Sequence, residues 1–212
     1  MYKLFYFPRN ASWAPHMLLS EMNLEYDLIL VDRHSNQQKS DEYLSLNPTG
    51  RIPTLVDNEI AYFESAAICL HLCEKHPEFK LIPSIGEPER AKCYQWLMYL
   101  TSSIQPELML YFYPERHTLN HIQSDAIKEV QEKRIGEMFK LIDQELTNKR
   151  FLLGSNISVC DFFLFMLAHW ASGFSFPPVK YKHLGRYLRE LASRESVKKV
   201  CEIEGTSLEI YL

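Results

Sequence analysis

The chain has 212 residues, 46% of them hydrophobic and 24% charged, a balance that lets one or two globular domains bury a core. Its formal net charge is −4 with no block of like-signed residues. That excludes a nucleic-acid surface of clustered Lys and Arg, while leaving room for a local basic pocket that takes a small anion. The five cysteines (Cys69, Cys73, Cys93, Cys160 and Cys201) form neither a Cys-x-x-Cys pair nor a His/Cys metal pattern, and the histidines share no spacing, so no metal is expected. Cys69 and Cys73 share a helix face and read as buried thiols. No run approaches the ~20 apolar residues of a membrane span. Residues 1–6 enter a strand-like run without leader architecture, so a cytoplasmic protein is expected, with neither membrane nor nucleic acid as partner.

Residues 3–7 are aromatic and β-prone and stop at Pro8. Residues 14–22 carry helical spacing through Met17, Leu18 and Glu21, with Asn23 as a stop. The stretch 26–31 predicts a second strand, apolar nearly throughout, as for a strand covered on both faces. Ser40 and Asp41 offer an N-cap to a short helix ending near Asn47-Pro48. Residues 54–56 and 60–62 flank Asp57-Asn58, which reads as a hairpin turn, and 65–74 reads as a helix. Beyond the Pro- and Gly-containing stretch 83–88 only helices are predicted, over 89–111, 124–146, 158–171 and 184–192. A mixed α/β half followed by an all-helical half predicts two domains, 1–83 and 89–212, joined by a linker over 84–88.

Three motifs carry the chemistry. Pro53 opens a strand after a Gly-containing turn and cannot donate a ladder hydrogen bond. Glu64-Ser65 stands where a strand gives way to a helix. Ser65 there reads as an N-cap, and the free N–H groups of a helix N-terminus suit a carboxylate. Ser158-x-x-Asp161 is a capping box, with Ile157 and Phe162 placed as a hydrophobic staple.

The runs Asn47-Pro48-Thr49-Gly50-Arg51-Ile52-Pro53-Thr54-Leu55, Tyr62-Phe63-Glu64-Ser65-Ala66-Ala67-Ile68 and Ser158-Val159-Cys160-Asp161-Phe162-Phe163 together resemble the soluble glutathione transferases. The resemblance covers essentially the whole chain. It implies a thioredoxin-like first domain followed by an all-helical second one, glutathione as co-substrate, and a homodimer. It also implies a cis Ile52-Pro53 bond, which frees the Ile52 main chain to pair with the cysteine unit of glutathione as an added strand would. Ser65 then contacts the γ-glutamyl carboxylate, and Glu64 orients that end of the tripeptide. Gln38 and Lys39 match positions that reach the glycine carboxylate, with solvated loop residues as the alternative. Arg51 faces either the peptide or solvent.

Conjugation needs a donor against the glutathione sulfur, because an ordinary thiol has a pKa of ~8.5. The stretch 10–16, with Ser12 and Ala14-Pro15-His16, is most similar to bacterial beta-class members, but Ala11 stands where their cysteine would sit. The resemblance therefore leaves Ser12 as the first candidate donor, with an N-cap as its other reading. Tyr6 (otherwise a core residue) and Asn10 rank below it. A pocket for a small hydrophobic electrophile is expected from Tyr99, Ser103, Gln105, Met109 and Phe112, residues whose spacing also fits plain core. The expected function is a detoxifying transfer of glutathione to such electrophiles. A non-catalytic glutathione-fold binding protein and a glutathione-dependent isomerase or peroxidase are the alternatives.

Overall fold

A computed structural model describes the main chain of residues 1–212 and every side chain except that of residue 121. The chain forms two compact units, one of 1–84 with 192–209 and one of 85–191 with 210–212. The segment 192–209, read from the sequence as part of the helical half, thus lies in the first unit.

The first unit is built on a four-stranded sheet ordered β2-β1-β3-β4, from β1 (Tyr2–Tyr6), β2 (Tyr26–Leu30), β3 (Thr54–Asp57) and β4 (Ile60–Phe63). β1 pairs parallel with β2 and antiparallel with β3, and β3 pairs antiparallel with β4, a thioredoxin-like arrangement. Leu4 and Leu55 at the centre of the sheet are fully buried. β2 departs from expectation. It is an edge strand paired on one side only, and Leu30 is 51% exposed, so its apolar run does not signal cover on both faces. The hairpin also turns one residue later than expected. Asp57 still pairs with Ile60, and Asn58 and Glu59 take the turn with φ of 47° and 72°. Asp57 is held in the strand by His71 Nε2 at 2.9 Å and Lys75 Nζ at 2.5 Å.

α1 (Trp13–Glu21) buries residues 13–19 completely between its neighbours α3 (Ser65–Lys75) and α9 (Glu195–Ile203). α9 is tied down by buried polar groups. Glu204, just past its end, accepts from the Arg9 N–H (2.9 Å) and meets His16 Nδ1 (2.6 Å), while Arg194 pairs with Glu21. A second apolar cluster on the other face of β1 joins Val31, Tyr43 and Ile52 with Phe5 and Phe7. Tyr43 belongs to α2 (Asp41–Leu46), whose cap forms as expected, with Ser40 Oγ accepting from the Tyr43 N–H at 3.2 Å.

The second unit holds α4 (Pro88–Tyr99), α5 (Gln105–Phe112), α6 (Ser124–Glu145), α7 (Val159–Trp170) and most of α8 (Lys182–Ala192). The helix expected over 89–111 is not uniform. Leu100–Ile104 is a π turn in which the Gln105 N–H reaches back five residues to Leu100 O. Pro106 explains it: a proline ring crowds the carbonyl four residues earlier, and widening the helix there relieves the clash. α7 is fully buried from Val159 to Leu167 and forms the centre of this unit. Its capping box is present, with the Ser158 N–H and hydroxyl donating to Asp161 Oδ2 at 2.7 and 2.8 Å. Asp161 Oδ1 accepts from the Leu152 N–H (2.9 Å) and the Tyr187 hydroxyl (2.8 Å). All five cysteines are buried and unbridged, and burial together with Glu204 pushes the Cys201 thiol up to about 12. Among the described residues no helix is long and apolar enough to cross a membrane.

Candidate active site

One end of the sheet gathers the segments that the sequence singles out. The β3–β4 register pairs Thr54 with Phe63, and continued two residues outward it sets Ile52 opposite Ser65. The β1–β3 register, which pairs Phe5 with Thr54, likewise carries Phe7 toward Ile52, and the two side chains share the cluster around Tyr43. The turn after β1, the start of β3 and the start of α3 therefore meet at one place. Ser65 ties two of them together, its hydroxyl donating to Ala11 O at 2.6 Å.

Ile52-Pro53 is cis, as expected, and among the described residues the Ile52 main chain has no hydrogen-bond partner. Both flanking residues are pinned instead. Arg51 O accepts from Tyr43 Oη (2.7 Å) and Asn47 Nδ2 (2.8 Å), and Tyr43 Oη also meets Thr54 Oγ1 at 2.9 Å. Burial raises the Tyr43 pKa, which keeps the phenol a neutral donor. The result is a rigid edge with one open donor and one open acceptor, the pattern an extended peptide needs.

Ser65 is the first residue of α3 and not its cap. Glu64 takes the cap position with φ 69° and ψ 110°, a conformation that ordinary side chains avoid. The first intrahelical bond runs from the Ile68 N–H to Glu64 O, so the preceding N–H groups of the first turn have no helix carbonyl to reach. With the Ser65 proton on Ala11, those main-chain donors are what this helix end offers to a carboxylate. The Glu64 side chain is exposed beside them.

Gln38 and Lys39 lie on the short helical turn Gln37–Lys39 and come down on the 47–51 turn, where Lys39 Nζ is 3.4 Å from Thr49 O. Gly50 permits this approach. Its φ is +59°, and a Cβ there would come within 2.5 Å of Lys39 Nζ and 3.0 Å of Gln38 O. Gln38 Oε1 is buried without a partner, and Arg51 is exposed next to Ile52. These three residues are thus brought to the same edge as Ile52.

The candidate thiol donors sit differently from one another. Ser12 is fully buried, and its one proton goes to Phe7 O at 3.2 Å. It occupies the cap position of α1 but makes no side-chain cap bond. Tyr6 packs edge-on against His16 at 6.2 Å, and its pKa is raised by burial and then by Glu204. It therefore belongs to the α1 and α9 face of the sheet. Asn10 is half-buried in the turn itself, with Oδ1 accepting from Arg33 Nη1 at 3.0 Å and Nδ2 at 3.5 Å from Pro8 O.

In the second unit Tyr99, Ser103, Gln105, Met109 and Phe112 all keep exposed surface, whereas Leu97, Leu100, Ile104 and Leu108 are fully buried. The candidates are therefore off the core face of this helix. Sequence reasoning missed Tyr43, Asn47 and Arg33 as builders of the site. Asn47 had a signal in the Asn-Pro-x-Gly turn, since an Asn side chain is well placed to bond the main chain of its own turn. Tyr43 and Arg33 had none, because their partners are set by tertiary packing. Among the described residues no cluster of His, Cys, Asp and Glu is arranged to hold a metal ion.

Comparison with known proteins bears on the family and the fold. Residues 1–74 match the family model described as "Glutathione S-transferase, N-terminal domain", and residues 99–195 the one described as "Glutathione S-transferase, C-terminal domain". The glutathione S-transferase hmp2 of Hypomyces subiculosus is 30% identical over 84% of this chain and 87% of its own. The beta-class glutathione S-transferase of Sphingomonas chungbukensis has a TM-score of 0.85 at 29% identity, covering 97% of this chain and 100% of that one. A sphingomonad glutathione S-transferase solved as a complex with glutathione has a TM-score of 0.84 at 25% identity, over 97% and 100% of the two chains. The chain belongs to the glutathione S-transferase family.

Proposed function

We propose that this protein binds glutathione at the end of its sheet and transfers the thiolate to small hydrophobic electrophiles. The carrying observation is the meeting of the open Ile52 main chain with the first turn of α3, locked to the 10–12 turn by Ser65 and Ala11. An extended acidic tripeptide fits that pairing. Its cysteine unit lies along Ile52, and its γ-glutamyl carboxylate lies at the N–H groups following Glu64, which orients the ammonium. Gln38, Lys39 and Arg51 supply donors and positive charge for the glycine carboxylate at the other end. Pro53 closes the edge. The chemistry then needs a lowered thiol pKa and a positioned electrophile, and no covalent enzyme intermediate. We assign the electrophile to the partly exposed side of α4 and α5, at Tyr99, Ser103, Gln105, Met109 and Phe112, and expect a cytoplasmic homodimer as the working form.

A second reading, glutathione binding without conjugation, is favoured by the inward-turned Ser12 hydroxyl and by the lack of a donor at Ala11. Retention on immobilised glutathione and turnover of a model aryl halide separate the two. Glu64→Ala is expected to weaken retention by ~1.5–3 kcal/mol, the worth of a contact to a charged group, and Ser65→Ala by less, because it keeps the main-chain N–H and removes only the tie to Ala11 O. Unchanged retention in both variants refutes the site. Retention without turnover by the unmodified protein selects the second reading.

A further inference from the structure

The turn that follows β1 is braced by a cluster that no helix or ladder requires. Asn10 is fixed by its main chain, its N–H donating to Phe7 O at 3.1 Å and its carbonyl accepting from the Trp13 N–H at 3.0 Å. Across from it, Arg33 Nη1 is 3.0 Å from Asn10 Oδ1, and the guanidinium lies over the Phe7 ring at 5.9 Å. His34 meets the same ring edge-on at 5.4 Å. The charged or titratable side chains on these segments are Arg9, Asp32, Arg33 and His34, with Asp32 Oδ1 accepting from the His34 N–H at 2.9 Å and Glu204 reached through the Arg9 N–H.

The pairing decides which way the Asn10 amide points. A guanidinium only donates, so an amide NH2 facing it would set donor against donor, and the carbonyl oxygen must face Arg33. Nδ2 is then turned away from Arg33. Its one protein partner among the described residues is Pro8 O at 3.5 Å, the outer limit of a hydrogen bond. Ser12, by contrast, is buried with its proton committed to Phe7 O.

From this juxtaposition, and resting on the glutathione reading above, we infer that Arg33 is a positioning residue for the transfer. It holds Asn10 by its carbonyl oxygen so that the Asn10 amide N–H, and not the Ser12 hydroxyl, is the donor to the glutathione sulfur. The guanidinium also polarises the amide and strengthens that donor, as charge-assisted chains of hydrogen bonds do.

The test is a pH titration of the thiolate absorbance of glutathione bound to the full-length protein, with affinity measured by calorimetry on the same samples and folding checked by thermal melting. Asn10→Ala and Arg33→Ala are each expected to raise the bound thiol pKa by about one unit while changing glutathione affinity only slightly, a loss of one hydrogen bond to the charged form. Turnover of an aryl halide at neutral pH should fall about tenfold with little change in KM for glutathione. Asn10→Asp keeps the shape and the Arg33 contact but removes the N–H and adds a negative charge, so it should raise the thiol pKa more than Asn10→Ala does. Adding Arg33→Ala to Asn10→Ala should produce no further shift, because Arg33 acts through Asn10. Arg33→Lys, which retains a donor, should recover part of the loss. A thiol pKa that Arg33→Ala leaves in place, a fully additive double variant, or a shift produced by Ser12→Ala alone overturns the inference while glutathione binding stands. Failure of the unmodified protein to bind glutathione overturns the underlying reading and this one together.

Discussion

Glu64 is the residue at which local conformation and proposed role conflict. Its φ of 69° is unfavourable for a side chain with a Cβ, at a cost on the order of 1–3 kcal/mol. The conformation persists because both sides are fixed, by the Thr54–Phe63 pairing before it and by α3 after it. A glycine would relieve that strain and remove the carboxylate. Glu64→Gly should therefore leave the urea unfolding free energy unchanged or higher, while glutathione affinity falls by ~1.5–3 kcal/mol. A parallel loss of both would mean that Glu64 is structural. At this scale the sequence was informative about residue type and blind to direction. The motif around Pro53 and Glu64-Ser65 marked positions that the fold brings to one end of the sheet. Whether the Ser12 and Ser65 hydroxyls point outward or into Phe7 O and Ala11 O is settled only by packing.

Among the elements, α3 and α7 are set by their ends. Asp57 anchors α3 to the sheet through His71 and Lys75. Burial pushes its pKa up, but the hydrogen bonds and charges of Lys75 and His71 outweigh this and hold it below the ordinary value. A folded pKa below the unfolded one stabilises the protein above the unfolded value and is lost as pH falls through the folded one. Asp57→Asn should accordingly flatten the loss of stability below about pH 4 in urea titrations, and an unchanged acid limb would count against the cluster. In α7 the capping box carries the entry to the most buried helix of the second unit, so Ser158→Ala should cost about 0.5–2 kcal/mol with no change in glutathione affinity. Element types were legible wherever periodicity was strong. They failed where neighbours decide: β2 is apolar yet lies at an edge, and the π turn before Pro106 follows from a clash that helical periodicity does not display.

At the level of the whole chain, the C-terminal segment returns to complete the first unit. Glu204 is separated from His16 by most of the sequence, yet it meets His16 in a fully buried contact behind the 8–12 turn and also accepts from the Arg9 N–H. No local pattern announces such a partner, which is why the sequence placed this segment with the helices before it. Glu204→Ala strips the buried His16 Nδ1 of its partner and should destabilise the first unit by ~1–3 kcal/mol, the cost of an unsatisfied buried group, as read by denaturant unfolding. An unfolding curve that matches the unmodified protein would show the contact to be dispensable. The account as a whole stands on where the tripeptide lies, and a crystal structure with glutathione bound tests that directly. The cysteine unit should pair with both main-chain groups of Ile52, with the γ-glutamyl carboxylate at the first turn of α3. Glutathione seated elsewhere, with Ile52 still unpaired, would contradict it.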